Sequence, residues 1–256
     1  MSQYAHTTGE RMNKTLLVGN WKMNLGIAAS AELARDVRAA SNHLENTEIW
    51  LAPSFPCITA VASALKGSSL KLGAQNVHWE VQGAFTGEVS AGMLRELGCE
   101  FVIVGHSERR HVFGETSEMV AKRCACALNS GFTTILCLGE TLEEREQGQT
   151  KGVIESQLRQ CLKSLKPDQL ARLVIAYEPV WAIGTGKIAE PQQIDQAHSI
   201  IASHFPQAQP AIIYGGSVTA ENFAGIVSLG SVAGALIGGA SIDVKKFVPL
   251  IEIAER

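Results

Sequence analysis

Leu173-Val174-Ile175-Ala176-Tyr177-Glu178-Pro179 is a run of five apolar residues that ends in a carboxylate and then a proline. The run does not alternate between apolar and polar residues. Near-continuous apolarity over this length is the mark of a strand covered on both faces, as in a parallel sheet. Similar runs recur about every 30 residues: Leu16–Asn20, Ile49–Ala52, Leu70–Ala74 and Phe101–Gly105, then Thr134–Cys137, Ala211–Tyr214 and Gly234–Gly238. With the first, they make eight predicted strands.

Amphipathic stretches of helical length lie between them, among them Ala29–Ala40, Val89–Leu97, Glu115–Leu128, Leu142–Leu165, Pro191–Ser203 and Asp243–Ala254. Pro191 suits a first helical position, and Thr141 with Glu144 has capping-box spacing. Strand and helix alternating throughout imply parallel pairing with right-handed crossovers. Eight such units in 256 residues point to an α/β fold of the (β/α)8 barrel type. No linker divides the chain. The expectation is a single catalytic barrel over residues 13–256, preceded by a disordered extension over residues 1–12.

The totals exclude other classes. Hydrophobic content of 46% and charged content of 18% suit a globular protein with a sizeable core. A net charge of -3 argues against nucleic acid as a partner. No apolar run approaches the roughly 18 residues of a membrane span, and the polar start, Met1 to Glu10, does not resemble a signal peptide. The expected setting is cytoplasmic. The cysteines, Cys57, Cys99, Cys124, Cys126, Cys137 and Cys161, form no CxxC pair and read as structural thiols.

In a (β/α)8 barrel the active site is built from residues just after the strands, at the C-terminal face. There the sequence places Asn20 and Lys22 after the first strand, His106 after the fourth and Glu178 after the sixth. The seventh and eighth end in Gly215-Gly216-Ser217 and Gly238-Gly239. Singly, each has a bland reading: Glu178 a structural carboxylate, His106 an ordinary hydrogen-bonded residue, Lys22 a side chain lying along the barrel rim. Jointly they read as an active site. Gly184-Thr185-Gly186-Lys187 is neither a Walker motif nor a clean dinucleotide fingerprint. The glycine turns after the last two strands fit a phosphate cradle better. No Cys, His or carboxylate cluster suggests a metal, so the expectation is chemistry run on protons and charge, with no cofactor.

Five segments resemble triosephosphate isomerase: Gly19-Asn20-Trp21-Lys22-Met23-Asn24, Gly105-His106-Ser107-Glu108-Arg109-Arg110, Ala176 to Lys187, Tyr214-Gly215-Gly216-Ser217-Val218 and Gly238-Gly239-Ala240-Ser241. The resemblance implies interconversion of dihydroxyacetone phosphate and glyceraldehyde 3-phosphate through an enediolate. It assigns proton transfer to Glu178, carbonyl polarisation to neutral His106, charge stabilisation to Lys22 and substrate orientation to Asn20. Glu108, next to Ser107, would support the Lys and His side chains. Pro179–Lys187 would be a lid whose Gly184 N–H reaches the substrate phosphate, with Ser217, Gly238 and Gly239 supplying further donors. The long loop from Gln75 to Gly87 carries Val77, Trp79, Val81 and Phe85, and such apolar residues on a protrusion suggest an interface. In the family the stretch Gly83–Glu88 enters a neighbouring subunit with Thr86 at its tip, which implies a homodimer.

The chain also departs from the family. Ala202 and the stretch Ser231-Val232-Ala233-Gly234 stand where the family usually has a charged pair, which puts barrel stability and phosphate-loop rigidity in question. Rival readings are a barrel acting on another sugar phosphate and a silent barrel kept for binding a partner. The intact set of Glu178, His106, Lys22 and lid argues against both.

Overall fold

The computed structural model describes residues 14–163, 165–206 and 209–256. The extension expected over residues 1–12 lies outside them. Eight parallel strands close one barrel in sequential order: β1 (Thr15–Asn20), β2 (Thr47–Ala52), β3 (Lys71–Ala74), β4 (Phe101–Val104), β5 (Thr133–Leu138), β6 (Leu173–Tyr177), β7 (Ala211–Tyr214) and β8 (Gly234–Ile237). β8 pairs back onto β1, with Leu16 opposite Gly234.

The helices form the outer layer: α1 (Ile27–Ala40), α2 (Ile58–Leu65), α3 (Ala91–Glu96), α4 (Ser107–His111), α5 (Ser117–Asn129), α6 (Leu142–Glu146), α7 (Thr150–Leu162), α8 (Pro191–Ala202), α9 (Ala220–Val227) and α10 (Val244–Glu255). The single helix expected over Leu142–Leu165 is two. Gly148, at φ 71, ends the first, a conformation glycine adopts without a Cβ clash. The predicted capping box forms at the start of α6, where the Thr141 N–H donates to Glu144 Oε2 at 2.7 Å. Pro191 opens α8. No described helix is long and apolar enough to cross a membrane.

Two apolar clusters explain the sequence pattern. The inner one fills the barrel with Leu16, Val18, Trp50, Ala52, Phe101, Ile103, Ile135, Cys137, Val174, Ala176, Ile213 and Leu236. The outer one joins the outward faces of the strands to the helices, with Leu17, Val102, Leu136, Ile175, Tyr177 and Ile212 among its members. Every strand but β3, whose inward positions are Lys71 and Gly73, therefore feeds both clusters alternately. At the N-terminal end, Glu48 and Lys71 pair at 3.2 Å beside Trp50, whose ring packs 5.0 Å from Phe101.

The two-residue alternation also sets what lies above the inner cluster. Two residues past Val18 is Asn20, and two past Ala176 is Glu178. Two past Cys137, Ile213 and Leu236 come Gly139, Gly215 and Gly238. The next inward layer is thus polar on two strands and without side chains on three others. That layer is the floor of the mouth.

Candidate active site

Glu178 is 1% exposed and follows β6 directly. Its backbone is pinned to the adjacent strand end, with its N–H donating to Leu138 O at 2.8 Å. Space for the residue is made by glycines. A Cβ on Gly139 would stand 1.9 Å from Glu178 O, and one on Gly215 would stand 2.8 Å from Glu178 Cγ. Neither contact is tolerable. Glu178 Oε2 accepts the Ser107 N–H at 2.7 Å, in the first turn of α4. Free backbone donors at a helix start favour an anion there. Oε1 is buried and receives no aligned hydrogen bond, with His106 Nε2 3.2 Å away.

His106 caps α4, and its Nδ1 accepts the Glu108 N–H at 3.3 Å. The other ring nitrogen, Nε2, is the one that lies beside Glu178 Oε1. Glu108 Oε1 holds Lys22 Nζ at 2.6 Å, and its Oε2 lies 3.6 Å from His106 Nδ1. Glu108 therefore spans the lysine and the histidine.

Lys22 sits at φ 53, the left-handed region that a residue with a Cβ rarely adopts. Its N–H donates to Asn20 Oδ1 at 3.1 Å. Its carbonyl accepts Gln75 Nε2 at 2.9 Å, and the same amide reaches Ala52 O at 2.9 Å. Gly238 lies against the lysine stem, since a Cβ there would be 3.2 Å from Cε. The structure thus brings Asn20, Lys22, His106, Ser107, Glu108, Glu178 and Gly238 to one mouth.

The other expected residues stand differently. Ser217 is turned toward the loop over Pro179–Lys187: its N–H and its hydroxyl both donate to Ala182 O, at 3.1 and 2.6 Å. Gly239 is exposed at the start of a short 3-10 turn, Gly239–Ile242. Gly184 is exposed in that loop at φ 68, with Gly186 at φ 77. Thr86 is exposed on its loop, remote in sequence from the rest.

Sequence reading missed Gln75, Gly139 and Glu140. The glycine had a signal, its place two residues past inward-facing Cys137. Glu140 ends the fifth strand's turn, is fully buried, and accepts Arg145 Nη1 at 2.8 Å, Tyr177 OH at 3.0 Å and Trp181 Nε1 at 3.2 Å. Burial, with Glu140 adding to it, pushes the Tyr177 hydroxyl well above its ordinary range. Burial likewise raises the Cys137 thiol, and Glu178 raises it further.

At the corner that lacks the family's charged pair, His198 of α8 bonds Ser231 O through Nδ1 at 2.9 Å. Ala202 and Val232 pack on the outer apolar cluster there. A neutral hydrogen bond and apolar packing thus join the elements that a charge pair usually joins.

The chain is similar to known proteins along nearly its whole length. A family model described as triosephosphate isomerase matches residues 15–254. A triosephosphate isomerase of Endomicrobium trichonymphae is 44% identical over 250 residues, covering 95% of this chain and 100% of the relative. Those of Chloroherpeton thalassium and Geotalea uraniireducens are 44% and 42% identical, each over 95% of this chain and 100% of the relative. The chain belongs to the triosephosphate isomerase family.

Proposed function

We propose that Glu178 is the base, His106 the proton donor and Lys22 the stabilising cation in the reaction this enzyme catalyses, the reversible isomerisation of dihydroxyacetone phosphate and D-glyceraldehyde 3-phosphate. The carrying observation is the Glu178 carboxylate, buried with one oxygen lacking an aligned hydrogen bond, and that oxygen 3.2 Å from His106 Nε2. That oxygen is available to take a proton from the substrate carbon next to the carbonyl. His106 Nε2–H donates to the carbonyl oxygen, so charge developing on the enediolate meets a fixed dipole. General acid–base groups placed in this way contribute about 10²–10⁴-fold each. Lys22 adds positive charge where the oxygen becomes anionic, and Asn20 orients that oxygen.

Pro179–Lys187 acts as the lid. Its root is tied at Trp181 to Glu140 and at Ala182 to Ser217, whereas its tip is exposed. Closure brings the Gly184 N–H to the phosphate, with Gly238 and Gly239 completing the cradle and Ser217 joining it once its donors leave Ala182 O. Binding energy from the unreactive phosphate then drives exclusion of water from the enediolate.

The chain works as one domain over residues 13–256, and as a homodimer. Exposed apolar side chains lie on the loops after four consecutive strands: Met23 after β1, Phe55 after β2, Val81 and Phe85 after β3, Val112 and Phe113 after β4. This apolar rim supports a subunit interface with Thr86 at its tip. Thr86→Glu should shift sedimentation from two chains to one and lower kcat. An unchanged dimer would contradict this interface. The reaction belongs to glycolysis and gluconeogenesis, which supports a cytoplasmic setting.

A coupled assay of glyceraldehyde 3-phosphate conversion tests the assignment. Fast turnover by the natural chain and near-silence of Glu178→Gln are expected. Substantial turnover by Glu178→Gln would remove Glu178 from the mechanism.

A further inference from the structure

β5 outlasts one of its neighbours. Past Val104, β4 turns away at Gly105, at φ 69, into α4, so the last residues of β5 lose a partner strand on that edge. The other edge stays filled by β6 and the residues after it: the Glu178 N–H donates to Leu138 O at 2.8 Å and the Val180 N–H to Glu140 O at 3.0 Å. Backbone groups alternate in direction along a strand, so Cys137 and Gly139 face the vacated edge. Side chains stand in for the missing strand there. Arg110 Nη2 donates to Cys137 O at 3.1 Å. Gln157 answers both groups of Gly139: its Oε1 accepts the Gly139 N–H at 3.0 Å and its Nε2 donates to Gly139 O at 3.1 Å.

Gln157 comes from α7, 18 residues further along the chain. It follows Ile154 by three residues and precedes Cys161 by four, and both of those are fully buried, so it belongs to the inward face of that helix. A carboxamide carries a donor and an acceptor on one plane, which matches the N–H and C=O of a single residue, whereas a carboxylate offers acceptors alone. Gly139 is buried, so without this partner both groups would go unanswered. The residue held in this way is the one packed against Glu178, since a Cβ on Gly139 would stand 1.9 Å from Glu178 O. Its two neighbours, Leu138 and Glu140, hold the backbone at Glu178 and Val180.

We propose that Gln157 is a positioning residue for the isomerisation: by clamping both backbone groups of Gly139, it fixes the surface on which the Glu178 backbone rests, and with it the reach of the carboxylate into the mouth. Gln157 itself belongs to the helix layer, behind the strand end. The clamp acts on placement, so its loss is felt in the proton-transfer step and not in phosphate binding. The proposal rests on Glu178 being the base.

The test is a double-mutant cycle between Gln157 and Glu178, read as kcat and KM for glyceraldehyde 3-phosphate. Gln157→Met keeps the length of the side chain and removes both hydrogen bonds. In the natural background it should lower kcat about 10-fold, part of the roughly 10²-fold that a misplacement near 1 Å costs, with KM held within about twofold. In Glu178→Asp, whose carboxylate is already withdrawn, the same change should cost less than about threefold. A tie that serves only the fold costs the same in both backgrounds. Gln157→Glu, nearly the shape of the natural side chain, is the second route should Gln157→Met not fold. It keeps an acceptor for the Gly139 N–H, loses the donor to Gly139 O, and should lower kcat severalfold with the same dependence on background. Equal losses in the two backgrounds, a change carried by KM alone, or kcat unmoved in both variants would reduce Gln157 to a link between α7 and the barrel and overturn the proposal. The two readings fail separately. Turnover surviving in Glu178→Gln removes the base itself. Silence there with equal losses in the cycle removes Gln157 alone.

Discussion

Glu140 and Glu178 end neighbouring regions of the barrel, both are buried to within 1% exposure, and they are built for opposite purposes. Glu178 follows inward-facing Ala176 and points to the mouth. Glu140 lies one residue past Gly139 and so points the other way, among the helices. There it collects Arg145, Tyr177 and Trp181, so that both oxygens have a donor in reach. Glu178 has one oxygen parked on a backbone N–H and one left over. A buried carboxylate ringed by donors in this way is a structural brace. On the reading proposed above, the unanswered oxygen of Glu178 is folding stability spent to keep a reactive group ready.

The comparison can be broken in graded steps. Among changes that keep the carboxylate, the largest effect expected within the mouth is from Glu178→Asp, which withdraws it by about one methylene. A misplacement near 1 Å costs about 10²-fold in kcat. Circular dichroism melting should show little loss of stability, and a collapse in melting temperature with kcat retained would place Glu178 among the braces.

A smaller effect is expected in the outer network. Tyr177, which donates to Glu140, meets His198 edge-on at 5.9 Å. Burial pushes His198 down from 6.5 to about 4, and its Nε2 has no partner. The sign follows directly. Between about pH 6.5 and about pH 4 the unfolded chain binds a proton there and the folded chain does not. Stability therefore falls as pH drops through that window and levels off below it, by about 2 kcal/mol between pH 7 and pH 4.5. Urea unfolding at those two pH values should show a flatter dependence in His198→Asn than in the natural chain. Equal slopes would mean the corner bridged by His198 and Ser231 O does not sense acid.

Much of this was legible in the sequence, for a physical reason. Strands covered on both faces must be apolar almost throughout, so eight such runs declared a parallel barrel. A polar residue at the end of such a run has to face the mouth or find a partner, which picked out Asn20, His106 and Glu178. What stayed hidden depends on contacts between distant positions. Gln75 holds Lys22 O from 53 residues away, and Arg110 reaches Cys137 O across 27. No local pattern marks either. Glu140 was passed over because a carboxylate that braces and one that reacts look alike until their partners are known. The helix break at Gly148 was missed because the amphipathic pattern continues across it.

The most direct measurement is kcat and melting temperature for Glu178→Gln and Glu140→Gln, taken side by side. Glu178→Gln should lose about 10³-fold or more in kcat and keep its melting temperature within a few degrees. Glu140→Gln should keep kcat within about tenfold. By leaving Arg145 without its counter-charge it should lose roughly 3 kcal/mol of stability, about 6–10 °C in melting temperature. The same ranking of the two variants on both measurements would contradict the division between reactive and bracing carboxylates.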